Sequence, residues 1–303
     1  MTTVPGSGLS SAAPRWATPA EGGDSFLRPV QVVARALGWR DLMPWQRLVI
    51  GTGTEIRPDG LPRFREVTEE VPRQQGKSIG ILSLMVARAL AEPGTMISYS
   101  AQARLAGRRR FLDVWWPRIR RSPLADDVDV RKGLGSEAFT FSNGSMIMLA
   151  SGTESTDHGD TLDLGVIDEA WAQRDGKIEQ ALRPAMLTRP AASLWIVSTA
   201  GNELSSYFRA KVAEGRARVE AGVTGSSAYF GWAAPDDADP GDPETWRSCM
   251  PALGITITED TVQADFETME LSEFRRACLC QWPDVAQPGW KLFSEEDWKA
   301  AVA

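Results

Sequence analysis

The stretch that most constrains this chain is VPRQQGKS at residues 71–78, followed at once by the apolar run IGILSLMVARALA. A β-prone segment, REVTEEV, leads into it, and the apolar run predicts a helix of about four turns leaving it. A Gly-Lys-Ser turn between a strand and a helix suits phosphate binding. Backbone N–H groups at a helix N-terminus hold phosphate oxygens. A lysine there supplies a cation to the β- and γ-phosphates, and the neighbouring hydroxyl ligates Mg²⁺. Lys77 and Ser78 fill those two places, and Gly76 lets the backbone approach without a Cβ in the way. Gln74, Gln75 and Ile79 complete the expected loop. A full pattern opens with glycine where this chain has Val71. A bare GKS is common by chance, so its weight comes from its place between strand and helix.

The second signal is LDLGVIDEA, an apolar strand ending in Asp168 and Glu169. Carboxylates at the C-terminal end of a central strand fit the ligand side of an open α/β sheet. Asp168 suits a Mg²⁺ ligand and Glu169 a group that takes a proton from attacking water. The plainer alternative is an acidic helix start after a strand. Two half-motifs in the correct order favour the nucleotide site. Between and after them, TMISYS, SLWIVSTAG and SSAYFGWAAP read as further strands, and FTFSNGSMIMLAS as a hairpin turning at Asn143-Gly144. Alternation of this kind predicts an α/β fold, a mostly parallel central sheet with helices on both faces.

The remaining chain sets boundaries. Residues 1–24 are rich in Pro, Gly, Ser and Ala and read as a flexible leader. Residues 25–234 read as the core. After Pro235 the chain turns acidic and Pro-rich, then helical around 260–270 and 272–281, as a small C-terminal lid or linker subdomain over 235–303. No apolar run is long enough for a membrane span and no secretion signal is visible, so the chain reads as cytosolic. Three cysteines, two of them Cys278 and Cys280, make no zinc framework. A net charge of -7 excludes a surface that clamps nucleic acid everywhere. The stretch 104–121 concentrates Arg104, Arg108, Arg109, Arg110, Arg118, Arg120 and Arg121, either a local track for phosphates or a solvated helix face.

The combination resembles the large terminase subunits of tailed bacteriophages over roughly residues 40–290. LMPWQRLVI resembles the family's adenine-side element, with Gln46. VPRQQGKS resembles its deviant phosphate loop, with Arg73 just ahead of it as a further catalytic residue. VIDEA resembles its Walker B strand, and IVSTAGN at 196–202 its coupling motif, with Ser198, Thr199 and Asn202. The resemblance implies a P-loop ATPase of the ASCE type that uses ATP and Mg²⁺ to thread double-stranded DNA into a preformed capsid. It implies a ring on the portal vertex in the host cytoplasm, with portal protein and small terminase subunit as partners, and a monomer in isolation. A helicase-like translocase of the same superclass and a non-hydrolysing nucleotide-binding module stand as alternatives. The absence of a second RecA-like domain speaks against the first, and retention of Glu169 against the second.

Two departures matter. Family members continue into a metal-dependent nuclease, which is expected to lie outside these residues. Some relatives also place a trans-acting arginine shortly before the Walker B acid. Here residues 133–173 contain no Lys or Arg, and His158 occupies that window, either as a phosphate contact or as a polar loop residue. The expected trans finger is therefore Arg189, with Arg183 second.

Overall fold

A computed structural model describes residues 11–101, 103–150 and 161–283. His158 and the last part of the expected 235–303 subdomain, from residue 284 on, lie outside the described residues. The first half of the chain runs β1 (Trp16–Ala17), α1 (Leu27–Ala36), α2 (Pro44–Gly53), β2 (Glu66–Glu70), α3 (Lys77–Ala91), β3 (Met96–Ser100), α4 (Arg104–Arg109), α5 (Trp116–Arg120), β4 (Val128–Arg131), β5 (Ala138–Phe141) and β6 (Met146–Leu149). It continues with β7 (Leu164–Asp168), α6 (Lys177–Met186), β8 (Ser193–Ser198), α7 (Ser206–Glu220), β9 (Ser227–Gly231), α8 (Pro243–Cys249), α9 (Glu259–Thr268) and α10 (Leu271–Leu279).

The described strands form one nine-stranded sheet in the order β1-β9-β2-β8-β7-β3-β6-β5-β4. The run from β9 to β6 is parallel throughout, while β1, β5 and β4 join antiparallel. Strand β8 thus lies between β2, which feeds the phosphate loop, and β7, which ends in Asp168. The side-chain alternation along β8 shows why the sheet carries helices on both faces. Trp195 and Val197 enter one core with α1, α2, α3 and the 104–120 helical stretch. Leu194 and Ile196 enter a second core with α6 and α7. Parallel strands buried on both sides need this near-continuous apolar content. The hairpin at Asn143-Gly144 is β5–β6, with Gly144 at φ 84 as the tight turn requires.

Three local features bear on the site. Pro44 opens α2 at a position where its missing N–H costs nothing. Between α4 and α5 the helix widens into a π-turn over Arg110–Trp115, just before Pro117. Pro117 has no N–H to give the preceding turn, and such widened turns recur at functional sites. Helices α8, α9 and α10 carry side-chain N-caps from Asp242, Thr258 and Glu270 and share a core of their own around Trp246, Leu253 and Phe274.

The expected leader needs correction over its described part. Trp16–Ala17 pair with Gly231 and Phe230, and the Trp16 indole is buried, donating to Glu220 Oε1 at 2.7 Å. A low-complexity segment is held here by one aromatic anchor and by backbone bonds to residues far along the chain.

Candidate functional site

The phosphate loop is built by a chain reversal at the end of β2. Gln74 and Gly76 both take positive φ, 63° and 98°, and Gly76 is the N-cap of α3. A Cβ at Gly76 would meet Met43 Cε at 2.8 Å and Gln46 Nε2 at 3.1 Å, so only glycine suits both the dihedral and the space. Lys77 opens α3 with its side chain buried across the loop, its Nζ 3.4 and 3.2 Å from the carbonyls of Val71 and Pro72.

Opposite the loop, Asp168 and Glu169 end β7. Asp168 is 1 % exposed and its carboxylate is fully engaged. Oδ1 accepts the Glu169 N–H at 2.8 Å, and Oδ2 accepts the Tyr99 hydroxyl at 2.8 Å and an Arg110 guanidinium N–H. Burial pushes the pKa of Asp168 up, and the Arg110 charge partly offsets that. Glu169 sits in the left-handed region at φ 54, a strained conformation that clusters at active sites. Its Oε2 accepts the Trp171 indole N–H at 2.9 Å, and Arg110 Nη2 lies 3.8 Å from Oε1.

The loop and the carboxylates frame a cleft of about 650 Å³ lined by Met43, Arg73, Gly76, Lys77, Ser78 and Ile79 on one side and Ala101, Ala106, Arg110 and Glu169 on the other, with Gln74 and Thr256 also at its wall. That volume lies within the usual range for small-ligand sites, ~300–1,000 Å³. The Ser78 hydroxyl and the Glu169 carboxylate that line it are oxygen donors, the kind a hard cation such as Mg²⁺ takes, and Asp168 could join them only by giving up its Arg110 contact.

Several expected residues fall elsewhere. Gln46 is 2 % exposed, and its amide braces the loop, donating to Gly76 O at 2.8 Å and accepting the Met43 N–H at 2.8 Å. It does not line the cleft, and the contacts it makes brace the loop. The Gln75 side chain turns away to accept the Ala252 N–H at 2.8 Å. At the end of β8, Thr199 is buried against Cys280, and Asn202 is exposed and caps its own turn through Leu204 N. Neither lines the cleft. Ser198 stays close by, accepting the Trp171 backbone N–H at 2.9 Å.

Within the arginine stretch the members have different surroundings. Arg104 and Arg108 bind the buried Glu137 at 2.7 and 2.8 Å, and Arg118 stacks over Trp39. Arg110 is drawn into the cleft. Arg109, Arg120 and Arg121 are the exposed members. Arg189 bonds Thr161 Oγ1 at 3.0 Å near the start of β7, at the opposite end of the sheet from the loop, and Arg183 pairs with Glu66 and Glu179.

Arg110, Tyr99, Trp171 and Glu69 were not singled out from sequence for this site. Tyr99 closes a strand adjacent to β7, a placement that alternation alone hints at. Arg110 had no distinguishing signal among its neighbours. Glu69 pairs in register with Val197, as does Asp168, so the two acids share one row and one face of the sheet. Its Oε1 has no hydrogen-bond partner among the described residues. Burial pushes its pKa up to about 8, with Lys77 opposing and Asp168 reinforcing.

The stability consequence of Glu69 has a definite sign. The unfolded chain ionises this group near the ordinary 4.5, the folded protein near 8. Its contribution is therefore complete below about pH 4.5 and is lost as pH rises through about 8. Glu69→Gln, neutral at every pH, is expected to lose less stability than the parent between those limits, by up to about 1.4 kcal/mol per pH unit. Urea melts at pH 5 and pH 8 measure this, and parallel profiles would refute it.

A parallel sheet with one strand inserted between the phosphate-loop strand and an acidic strand, and a glycine-lysine-serine helix start facing that acid, define a P-loop NTPase fold of the ASCE type. Among solved proteins, this is the fold of phage large-terminase ATPase domains. The HK97 bacteriophage large terminase superimposes with a TM-score of 0.71 at 19% identity, covering 86% of this chain and 56% of that one. This chain thus spans little more than half of the HK97 protein. The large terminase of a thermophilic bacteriophage gives 0.55 at 12% identity over 85% of this chain and 57% of that one. The Thermus phage P74-26 large terminase ATPase domain gives 0.53 at 17% identity, covering 80% of this chain and 94% of that domain. No protein-family model and no curated protein sequence matches the chain.

Proposed function

We propose that this chain is the ATPase motor domain of a phage large terminase, hydrolysing ATP to drive double-stranded DNA into a procapsid. The observation that carries the proposal is the cleft joining Lys77 and Ser78 to Glu169 and Arg110, with the buried Asp168 held by Arg110 behind it. In this reading the backbone N–H groups over 74–79 cradle the phosphates, and Lys77 turns from the carbonyls of Val71 and Pro72 to the β- and γ-phosphates. Ser78 would hold Mg²⁺, with Asp168 once it is released from Arg110, and the ion would supply charge neutralisation for the phosphates. Glu169 aims a water at the γ-phosphorus and takes its proton as the bond to ADP breaks. Arg73 faces the cleft from the loop, and Arg110 keeps the buried Asp168 charge-balanced. Thr256, ahead of α9, brings the C-terminal helices to the cleft wall as a lid.

The wider setting belongs to the same reading: a ring at the portal vertex in the host cytoplasm, with portal protein and small terminase subunit as partners. No described helix is long and apolar enough to cross a membrane. The test is Mg²⁺-dependent phosphate release with and without DNA. The proposal expects release that rises with double-stranded DNA. No release by folded protein leaves a non-hydrolysing module, and stimulation by single strands alone leaves a helicase-like enzyme.

Arg189 is 44% exposed and remote from its own subunit's cleft, so any part it takes in hydrolysis is in a neighbour's site. Arg189→Ala and Lys77→Ala proteins are then each nearly inactive, and mixing them restores part of the ATPase rate. No recovery between subunits shown to associate removes Arg189 as the trans finger.

A further inference from the structure

Trp171 joins groups that otherwise belong to separate parts of the fold. Its indole N–H donates to Glu169 Oε2 at 2.9 Å, and its backbone N–H donates to Ser198 Oγ at the end of β8, also at 2.9 Å. Two guanidiniums lie over its ring, Arg276 of α10 at 4.8 Å from the centroid and Arg73 of the phosphate loop at 5.8 Å. Glu273 of α10 bridges both, at 2.7 Å to Arg276 and 2.9 Å to Arg73. Arg276 is itself buried and donates to Ala200 O at 2.9 Å, just beyond β8. Gly201 follows, and a Cβ there would stand 3.2 Å from Trp171 Cβ, so the exit of β8 lies directly against this residue.

The contacts at Trp171 differ in kind. The N–H bond to Glu169 is directional, and the carboxylate follows the indole edge. The ring's position is set by the cations above it and by the β8 exit beside it. A shift of α10 relative to the loop moves Glu273 and Arg276, loosens their hold on Arg73, and with that moves the ring. A catalytic carboxylate displaced by ~1 Å loses up to ~10²-fold in rate, while the phosphate cradle at Gly76–Lys77 has no bond to this tryptophan.

We propose that Trp171 is a positioning residue that ties the aim of Glu169 to the seating of α10 on the phosphate loop. The proposal rests on the ATPase reading above and deepens it, making the seating of α10 a control on the aim of the general base.

A double-mutant cycle on the full chain tests it. Trp171→Phe keeps a ring face for the arginines and removes the N–H; Glu273→Gln loosens the bridge between them. For each variant and the pair, kcat for Mg²⁺-dependent phosphate release and Kd for a non-hydrolysable ATP analogue are measured. Trp171→Phe is expected to lower kcat about tenfold or more with Kd within about twofold of the parent. Glu273→Gln lowers kcat in the parent but adds nothing in the Trp171→Phe background. Trp171→His, which keeps a ring N–H, recovers kcat over Trp171→Phe; a purely structural tryptophan leaves those two variants alike. Independent multiplicative losses, a change confined to Kd, or no recovery with His overturns the proposal. A parent protein with no phosphate release overturns the ATPase reading itself, and this inference with it.

Discussion

Glu169→Gln is expected to bind ATP as the parent does and to hydrolyse it at least ~10²-fold more slowly, the loss typical of removing a general base. The substitution is nearly isosteric, and the amide oxygen of glutamine still accepts the Trp171 indole N–H, so the left-handed turn at this position keeps its partner. Asp168, Lys77 and Ser78 are untouched, which leaves the phosphate and Mg²⁺ contacts of the proposed site intact. What is lost is the capacity to take a proton from water. Single-turnover phosphate release reads the chemistry, and equilibrium binding of a fluorescent ATP analogue reads the affinity. Hydrolysis at the parental rate would place the base elsewhere in the cleft. Parallel losses of binding and rate would instead point to a damaged loop.

The second large effect is on stability. Glu70 precedes the phosphate loop and faces away from it, toward α7, with its carboxylate fully buried. Oε2 accepts Arg216 Nη2 at 2.9 Å and the Tyr229 hydroxyl at 2.5 Å, and Oε1 accepts the Trp282 indole at 2.6 Å. Arg216 also lies over the Trp16 ring, 4.1 Å from its centroid. Glu70→Ala therefore strips the counter-charge from a half-buried guanidinium and leaves two further donors without their acceptor. Breaking a fully buried pair costs about 3–5 kcal/mol, and because Arg216 keeps some access to water the expected loss is about 2–3 kcal/mol. Urea denaturation of parent and variant measures it, with Glu70→Gln as the milder comparison because it keeps acceptor capacity. A loss below about 1 kcal/mol, the scale of a surface pair, would show the network to be dispensable.

The parts of this protein visible in its sequence are those written in short, local patterns. The strands β2, β3, β7, β8 and β9 announce themselves as apolar or alternating runs, the hairpin by Asn143-Gly144, and the loop by Gly76-Lys77-Ser78 before an apolar helix. What escaped depends on pairing across the fold. Nothing adjacent to Arg110 distinguishes it from Arg108, yet one enters the cleft and the other binds Glu137, because a π-turn begins at Arg110. Gln46 has the residue type for reading a base, but its amide is drawn to Gly76 O by the way α2 packs on the loop. Glu69 reads in sequence as one of several acids in an exposed-looking REVTEEV. Its burial follows only from the register that sets it beside Val197 and in line with Asp168.

The pairing of β1 with β9 has a practical bearing on how the polypeptide can be trimmed. Strand β9 is flanked by β2 on one side and by Trp16–Ala17 on the other. Cutting the chain back to residue 25, where its composition first looks globular, would uncover the outer backbone of β9 and expel the Trp16 indole from its seat beneath Arg216. An open row of N–H and C=O groups beside a newly bared apolar patch is a template for self-association. The few residues before α1 thus act as a seal on the sheet's margin.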